Sequence, residues 1–423
     1  MTPTHQRFRV LAGVAVLTMV VFGFAPVGVH QVTSSRTTPT PPSSSPLRPV
    51  LHRHLHNQPR DCKGVSIRPS QASSLPSIVK DHHAGTTFCL AAGTYNLRRV
   101  IVPRRGDSFI GAGPGRAGTV MECSAVSFCF DIIFVSDVLV RSLSVRSATQ
   151  ANMKLGLSTV IDRITSIGGG NMGLQANGGA GQAADDVVKN SIIEGSATNC
   201  GAFGGPGYCA GFKVNGVSGV VIKNNLFRHN CGSAALWLDI NARGNFVLRN
   251  NTSINNNAGG LASCGDTDGI RVEISCFGTV SGNKVYGNAG DQIDIVNSNN
   301  ILVSGNHVTA TGSGNFGIRV LGSDRPVTQG GTGNKECASS DGSYHTFNNA
   351  VSSNAVKLRS GSQNGTVAAS GAGQLDNNSF QSNTYSGGHC SADVWVWWNG
   401  SSNLHTNFGG WQEFGQDTLG SCS

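Results

Sequence analysis

The chain has 423 residues; 57 are glycine, 13% are charged and 7% are aromatic, a composition that excludes both a mainly helical and a disordered protein. Its formal net charge of +8 comes largely from residues 1–60, which hold six arginines and no acidic residue. The rest of the chain holds 25 basic and 23 acidic residues, so a nucleic-acid partner is not expected.

The N-terminus has the pattern of an export signal. Arg7 and Arg9 precede an apolar run from Val10 to Phe24, and small residues follow near Ala25. The run is short for a transmembrane helix, which favours a cleaved signal peptide within residues 1–30. The alternative is an uncleaved signal anchor, and only that alternative would hold the protein at a membrane. We therefore expect a secreted protein, or a cell-surface protein if the anchor is retained.

Residues 31–60 are rich in Ser, Thr and Pro, which is typical of an extended linker. The repeats described below occupy residues 61–389. Stacked strands leave open sheet edges at both ends, so we expect residues 390–423 to form a C-terminal capping segment.

All twelve cysteines lie after the export signal. An even number of cysteines in an exported chain predicts disulfides rather than a metal site. Spacing and position suggest the pairs Cys123–Cys129, Cys200–Cys209, Cys62–Cys89 and, near the C-terminus, either Cys337–Cys390 or Cys390–Cys422.

A first repeated pattern consists of an apolar residue, two spacers, Asn and a further apolar residue. It occurs at Asn225, Asn251, Asn283 and Asn306, with a close relative at Asn190. Asn at a fixed bend tolerates the left-handed conformation and can stack in a hydrogen-bonded ladder.

A second class of short strands alternates with the first. The central residues of these strands are Gln175, Lys213, Trp237, Arg271, Asp294 and Arg319, with Lys357 as a candidate continuation. The steps between them are 38, 24, 34, 23 and 25 residues, which gives a base period of 23–25 with two insertions. The first insertion contains Cys200 and Cys209, and the second spans about residues 257–268.

A unit of this length cannot bury its own apolar face, so successive turns must stack about 4.8 Å apart. Alternation then points two rows of apolar side chains, which we call files, toward the core. The first file is Leu236, Ile270, Ile293 and Ile318, and the second is Leu238, Val272, Ile295 and Val320. A β-sandwich or propeller fits less well, because the turns are too short and too similar. The fold class predicted is an all-β parallel β-helix solenoid.

The repeats resemble the right-handed parallel β-helix, or pectin-lyase-like, superfamily over roughly residues 62–400. Residues 86–95 (TTFCLAAGTY) are similar to the first strand and turn of many members. Residues 394–398 (VWVWW) and 411–417 (WQEFGQD) are similar to a C-terminal cap of secreted bacterial members thought to act on polysaccharides. The resemblance implies a polysaccharide partner but no subfamily, because the motifs of polygalacturonases and pectate lyases are missing and the fold hosts several chemistries and non-enzymes.

The outward positions of the second strand class carry the candidate site. Lys213, Asp239, Arg271 and Glu273 share one face with Trp237 among them, in a chain that is otherwise poor in charge. Backbones on neighbouring turns lie about 4.8 Å apart, so the carboxyl groups of Asp239 and Glu273 can approach the roughly 5–5.5 Å of a retaining glycosidase pair. Repulsion between them would raise one pKa and provide an acid beside a base.

The other side chains of this face suggest binding roles. Arg271 and Lys213 can hold a substrate carboxylate or neutralise the negative charge that develops in a lyase reaction, and Trp237 offers a surface for sugar stacking. Further substrate-binding candidates are Asn215, Asp294, Arg319 and Asp268.

The competing interpretation is a solvated ladder of alternating charges, in which Asp239 beside Arg271 and Arg271 beside Asp294 are ordinary cross-strand pairs. The sequence assigns no cofactor; calcium is a candidate, with Asp239, Glu273 and Asp294 as its oxygen ligands, although no loop has metal-ligand spacing. We therefore predict a polysaccharide lyase or glycoside hydrolase, expected to be monomeric. The alternative is a non-catalytic cell-surface protein that binds carbohydrate or mediates adhesion.

Overall fold

The computed structural model describes residues 59, 62–178, 184–197, 199–200, 208–240, 244–257, 264–312, 314–323, 325–327, 336–368 and 375–423. The predicted signal segment, and the predicted linker apart from Pro59, lie outside these residues. None of the helices in the described part of the chain is long and apolar enough to cross a membrane.

Short strands dominate the described chain, and the helices are few and short. The helices are one 3₁₀ turn (Pro69–Gln71), α1 (Leu75–Asp81) and α2 (Phe408–Glu413). In chain order the strands are β1 (Val65–Ile67), β2 (Thr87–Leu90), β3 (Gly93–Asn96), β4 (Ser108–Gly111), β5 (Thr119–Glu122), β6 (Phe130–Asp131), β7 (Leu139–Arg141), β8 (Ser144–Arg146), β9 (Ala151–Leu155), β10 (Val160–Asp162), β11 (Thr165–Ile167), β12 (Met172–Asn177), β13 (Val187–Lys189), β14 (Ile192–Glu194), β15 (Ala210–Asn215), β16 (Val221–Lys223), β17 (Leu226–Arg228), β18 (Ala234–Asp239), β19 (Phe246–Arg249), β20 (Thr252–Ile254), β21 (Asp268–Glu273), β22 (Cys276–Ser281), β23 (Lys284–Tyr286), β24 (Ile293–Val296), β25 (Asn299–Ser304), β26 (His307–Thr309), β27 (Phe316–Gly322), β28 (Thr346–Phe347), β29 (Ala350–Ser352), β30 (Ala355–Lys357), β31 (Gln363–Ala368), β32 (Leu375–Asp376), β33 (Ser379–Gln381), β34 (Thr384–Ser386), β35 (Trp395–Trp398), β36 (Asn403–Thr406) and β37 (Ser421–Cys422).

All but two of these strands form three long sheets, and successive strands of the chain pass from one sheet to the next; β28 and β32 pair with each other. Sheet A runs β1-β2-β4-β7-β10-β13-β16-β19-β22-β25-β29-β33, and sheet B runs β3-β5-β8-β11-β14-β17-β20-β23-β26-β30-β34-β37. Sheet C runs β6-β9-β12-β15-β18-β21-β24-β27-β31-β35-β36. Neighbours in each sheet pair in parallel, except for the antiparallel pair β35–β36. This topology confirms the predicted parallel β-helix.

The registers in sheet C confirm the predicted alignment of the turns. Each central residue faces the next one along the file: Gln175, Lys213, Trp237, Arg271, Asp294 and Arg319. The proposed continuation to Lys357 is wrong, because Arg319 faces Gly365 and Lys357 lies in sheet B opposite Thr309. A third insertion after β27 lengthens this turn, and the sequence pattern did not reveal it.

Both inward files are fully buried in one continuous core. Its packing is close enough that a Cβ on Gly278 would collide with the ring of Phe246 on the preceding turn. Leu75 and Val79 of α1 are buried at the N-terminal end of this core, and Trp411 of α2 packs edge-on against Phe380 at the other end. The core is therefore covered at both ends.

The repeated asparagines form the predicted hydrogen-bonded ladder. Each Nδ2 donates to the Oδ1 of the next member at 2.8–3.1 Å along the series Asn225, Asn251, Asn283, Asn306, Asn354, Asn383 and Asp417. The left-handed conformation, however, belongs to the residue before each ladder member, as at Asn224 (φ 57°) and Asn250 (φ 54°). The sequence pattern assigned the left-handed conformation and the ladder hydrogen bonds to the same asparagine, but they belong to two adjacent residues.

Six disulfides join all twelve cysteines. The predicted pairs Cys123–Cys129, Cys200–Cys209, Cys62–Cys89 and Cys390–Cys422 are present. Cys337 does not pair with Cys390; the remaining bridges are Cys231–Cys264 and Cys276–Cys337. This many disulfides indicates folding in an oxidising compartment.

Candidate active site

An open pocket of about 480 Å³ lies on the outer face of sheet C over β15, β18 and β21. Its lining comprises Tyr208, Lys213, Asn215, Ser233, Trp237, Asp239, Ile240, Arg271, Glu273, Ile274 and Arg325. All four candidate catalytic residues, together with Trp237 and Asn215, therefore meet in one pocket. Asp268, Asp294 and Arg319 do not line it.

Lys213 and Asp239 form a buried ion pair at one side of the pocket. Lys213 Nζ lies 2.9 Å from Asp239 Oδ2, and the two residues are only 8% and 6% exposed. The β15–β18 register places Asn215 directly opposite Asp239, so this ion pair runs diagonally between neighbouring turns. A pair this deep cannot be dismissed as an ordinary surface contact.

Trp237 lies between two cations rather than facing the solvent. Lys213 Nζ is 3.4 Å from the ring centroid, and Arg271 Cζ approaches from the following turn at 5.7 Å. Trp237 is 5% exposed and packs against Ala210 and Ala234. The expected sugar-stacking surface is thus covered, and the ring instead holds both cations by cation–π attraction. Within the described residues, its buried Nε1 has no hydrogen-bond acceptor.

Glu273 is the second buried carboxylate of the pocket. Its Oε2 lies 3.0 Å from Arg271 Nε, and its Oε1 contacts Arg325 Nη1. The register of β18 and β21 places Glu273 on the turn after Asp239. Burial and repulsion from Glu273 raise the pKa of Asp239, while Lys213 opposes this rise. The pocket therefore combines two interacting carboxyl groups with three cations.

A second charged cluster lies beside the pocket on β21, β24 and β27. Arg319 forms two hydrogen bonds of 2.9 Å with Asp294 and an ion pair of 2.8 Å with Asp291. Arg271 connects this cluster to the pocket, because it also lies 3.5 Å from Asp268 and 3.9 Å from Asp294. Of the residues expected to bind substrate, Asp268 and Asp294 contact Arg271, and Arg319 contacts Asp294.

Burial and mutual repulsion dominate the electrostatics of this second cluster. Burial, reinforced by Asp294 and Asp291, raises the pKa of Asp268 well above its usual range. Burial, reinforced by Asp294, raises the pKa of Asp291 to about 6. Three carboxyl groups here face two guanidinium groups, so the cluster favours retaining a proton.

Two of the pocket residues that were not found from the sequence, Tyr208 and Arg325, have side chains suited to substrate binding. Tyr208, which precedes Cys209 in the first insertion, is 62% exposed and is the accessible aromatic residue of the lining. Arg325 comes from the third insertion, 52 residues after Glu273. Insertions do not obey the repeat, so the alignment of turns contained no signal for either side chain.

Several contacts hold the segment that carries Arg325. Ile274, Val327 and Tyr344 form a small buried cluster, against which Ile240 packs. The Arg325 carbonyl accepts a hydrogen bond from the Tyr344 amide, and the Cys276–Cys337 disulfide ties the same insertion to β22.

The turn after each pocket carboxylate is strained. Ile240 (φ 47°) and Ile274 (φ 48°) follow Asp239 and Glu273 directly and adopt the left-handed conformation. β-Branched residues rarely occupy this region, at a cost of about 1–3 kcal/mol each. The next turn has Asn297 (φ 45°) at the same place, a residue type that tolerates this conformation. Strain of this kind clusters at functional sites.

No group of three or more His, Cys, Asp or Glu side chains in the described part of the chain is arranged to hold a metal ion. The three carboxylates considered for calcium each contact a cation: Asp239 contacts Lys213, Glu273 contacts Arg325, and Asp294 contacts Arg319.

Several solved structures are similar to this chain. Among solved structures, the chain is similar to the A-module of mannuronan C-5 epimerase AlgE6 from Azotobacter vinelandii (16% identity, 85% of this chain and 95% of that chain, TM-score 0.48). It is also similar to the PL6 family polysaccharide lyase Pedsa3628 from Pseudopedobacter saltans (11%, 85% and 91%, 0.47) and to pectate lyase Pel9A (13%, 75% and 78%, 0.46). No curated protein is significantly similar in sequence.

The family comparison agrees with the sheet topology. Residues 136–307 match the family model described as a right-handed β-helix region. The match lies within the region where sheets A, B and C pair in parallel, so the family model and the sheet topology agree on a right-handed parallel β-helix fold.

Proposed function

We propose that this protein is an extracellular enzyme that cleaves a polysaccharide, as a lyase or a glycoside hydrolase, in the pocket on sheet C. The observation that carries the proposal is the pair of buried carboxylates on neighbouring turns, Asp239 and Glu273, in an open pocket. Buried charges are costly, and a rod that only separates two ends does not require them at an open surface.

The two carboxyl groups have different surroundings, which suits an acid and a base. Asp239, whose pKa is raised by burial and by Glu273, is the candidate proton donor. Glu273, held by Arg271 and Arg325, is the candidate base or nucleophile. Such a division is typical of glycosidic bond cleavage.

The cations of the pocket serve binding and charge neutralisation. Lys213, Arg271 and Arg325 outnumber the two carboxylates, so an acidic sugar unit fits the pocket electrostatically. In a lyase reaction the same cations would stabilise the negative charge developing on the sugar carboxyl group. Tyr208, rather than Trp237, offers ring surface to a sugar.

A glycan panel tests the proposal. The purified protein is incubated with pectic, alginate, glycosaminoglycan and neutral polysaccharides. Absorbance of unsaturated products reports a lyase, and new reducing ends without that absorbance report a hydrolase. Asp239→Asn and Glu273→Gln should each lower turnover at least about 100-fold, the scale of general acid–base catalysis. Glu194→Gln is the control, because Glu194 also pairs with an arginine but lies on sheet B. Turnover that persists in both pocket variants would refute the assigned roles.

A non-catalytic carbohydrate-binding protein is the second candidate. One observation favours it: both pocket carboxylates already contact cations, as in a static network. Binding of a glycan without any turnover, with equal affinity in the Asp239→Asn variant and the unaltered protein, would select this alternative.

A further inference from the structure

The outer face of sheet A carries three regular files of side chains over five turns, from β7 to β19. The first file is aliphatic, the second is mostly cationic, and the third occupies the left-handed residue that follows each strand. In chain order the files are Leu139, Val160, Val187, Val221, Val247; Arg141, Asp162, Lys189, Lys223, Arg249; and Ser142, Arg163, Asn190, Asn224, Asn250. We call this surface the sheet A strip.

Three cations of the strip stack directly on one another. Lys189 pairs in register with Lys223, and Lys223 pairs with Arg249. Side chains in register on adjacent parallel strands start from backbones about 4.8 Å apart, and like charges placed there destabilise a sheet. Among the residues that the structure describes, no carboxylate forms an ion pair with any of the three. Folding therefore gains nothing from this arrangement.

The carboxylate of the strip does not neutralise the stack. Asp162 Oδ2 lies 3.3 Å from Arg163 on its own turn, and its Oδ1 accepts a hydrogen bond from the Asn190 side chain. The strip holds five cations and one carboxylate, a net charge of +4. All residues after position 60 together carry only +2. Positive charge is thus concentrated on this face, while the remainder of the body is slightly acidic.

We propose that the sheet A strip binds an acidic polysaccharide lying along the axis of the solenoid. Lys189, Lys223 and Arg249 would contact its carboxylate or sulfate groups, and the exposed amides of Asn224 and Asn250 would bond to its hydroxyl groups. The strip has no aromatic side chain, which single-stranded nucleic acid sites use for base stacking. This site lies on a different sheet from the pocket and does not depend on the function proposed for that pocket.

Binding of defined polymers to the full protein tests the proposal. The probes are polygalacturonate, dextran sulfate, neutral dextran and double-stranded DNA, measured by biolayer interferometry over a series of salt concentrations. We expect the two acidic polysaccharides to bind, with an affinity that falls as salt rises, and neutral dextran not to bind. The triple variant Lys189→Gln/Lys223→Gln/Arg249→Gln should bind at least ten-fold more weakly and with a shallower salt dependence.

The matched control is Arg98→Gln/Arg99→Gln/Arg116→Gln, which removes the same charge from exposed positions elsewhere. It should change affinity less than two-fold. Because the stacked cations repel one another, the strip variant should melt at the same temperature as the unaltered protein or higher, which separates a binding role from a structural one. If the triple variant does not fold, Lys223→Gln alone should still weaken binding about three-fold.

Three results would overturn the proposal. Equal losses in the two triple variants would show nonspecific charge attraction. If neutral dextran bound as tightly as the acidic polysaccharides, binding would not depend on the cations of the strip. Binding of DNA at least as tight as that of the acidic polysaccharides would assign the strip to a different polyanion.

Discussion

Lys213 Nζ and Asp239 Oδ2 lie 2.9 Å apart across neighbouring turns, and the ring of Trp237 covers the same ammonium group at 3.4 Å. The lysine is therefore held by a charge on one side and a π-system on the other, with 8% of its surface exposed. Lys213 and Asp239 both join neighbouring strands of sheet C and line the pocket. A change to either residue should therefore affect both the stability of the sheet and the properties of the pocket.

Removing Lys213 should leave the buried charge of Asp239 without its partner. Lys213→Met is expected to lower the free energy of unfolding by about 3–5 kcal/mol at neutral pH, since Asp239 loses its partner. The double variant Lys213→Met/Asp239→Leu should recover most of that loss. Urea denaturation of both variants measures the difference, with Lys284→Met as an exposed-lysine control. Equal destabilisation in the single and double variants would show that the ion pair contributes little.

The Cys276–Cys337 disulfide should control the position of Arg325. Cys276→Ser/Cys337→Ser is expected to lower kcat/KM in the same direction as Arg325→Gln, by about ten-fold, because both changes weaken the contact to Glu273. In the disulfide-free background, Arg325→Gln should have little further effect, which a double-mutant cycle detects. Fully additive losses would mean that the disulfide and Arg325 act independently. Glycan affinity is the readout if turnover is absent.

The raised pKa of Asp291 predicts a dependence of stability on pH. The pKa is about 6 in the folded protein against an ordinary 3.8, so the folded state binds this proton more tightly than the unfolded state. The contribution to stability is complete below about pH 4 and is lost as the pH rises through about 6. The free energy of unfolding should thus fall more between pH 4 and pH 7 in the unaltered protein than in Asp291→Asn. Asp393→Asn, at an exposed position, is the control, and identical slopes in the Asp291→Asn variant and the unaltered protein would contradict the prediction.

The asparagine ladder should be sensitive to a single break. Asn283 accepts from the amide and side chain of Asn251 and donates to Leu248 and Asn306, all in buried surroundings. Asn283→Ala leaves these partners unsatisfied, at about 1–3 kcal/mol for each buried group. Asn283→Ala should therefore lower the melting temperature much more than Asn96→Ala, which changes an exposed strand position. Similar melting temperatures would indicate that water replaces the missing amide.

The repeat made much of the fold predictable. The registers Lys213–Trp237, Trp237–Arg271 and Arg271–Asp294 follow from aligning apolar alternation alone, because a one-residue slip would turn each inward file to the solvent. The same alignment brought Lys213, Asp239, Arg271 and Glu273 to one face.

What side chains do on that face was less predictable. Trp237 looked like a stacking surface, but neighbouring cations cover it. Asp268, Asp294 and Arg319 looked like substrate contacts, but Asp268 and Asp294 contact Arg271, and Arg319 pairs with Asp294. Alternation indicates whether a side chain leaves the core, and not which neighbour it meets once outside.

The sequence by itself thus determined the stacked turns, the period near 24 residues and the face where charges gather, since these depend on a periodic separation of apolar and polar residues. Only the tertiary structure decided the contacts of the pocket: the diagonal Lys213–Asp239 pair, the covered Trp237 and the arrival of Arg325 and Tyr208 from insertions. Those contacts depend on side-chain packing between turns and on segments outside the repeat, and no periodic pattern constrains either.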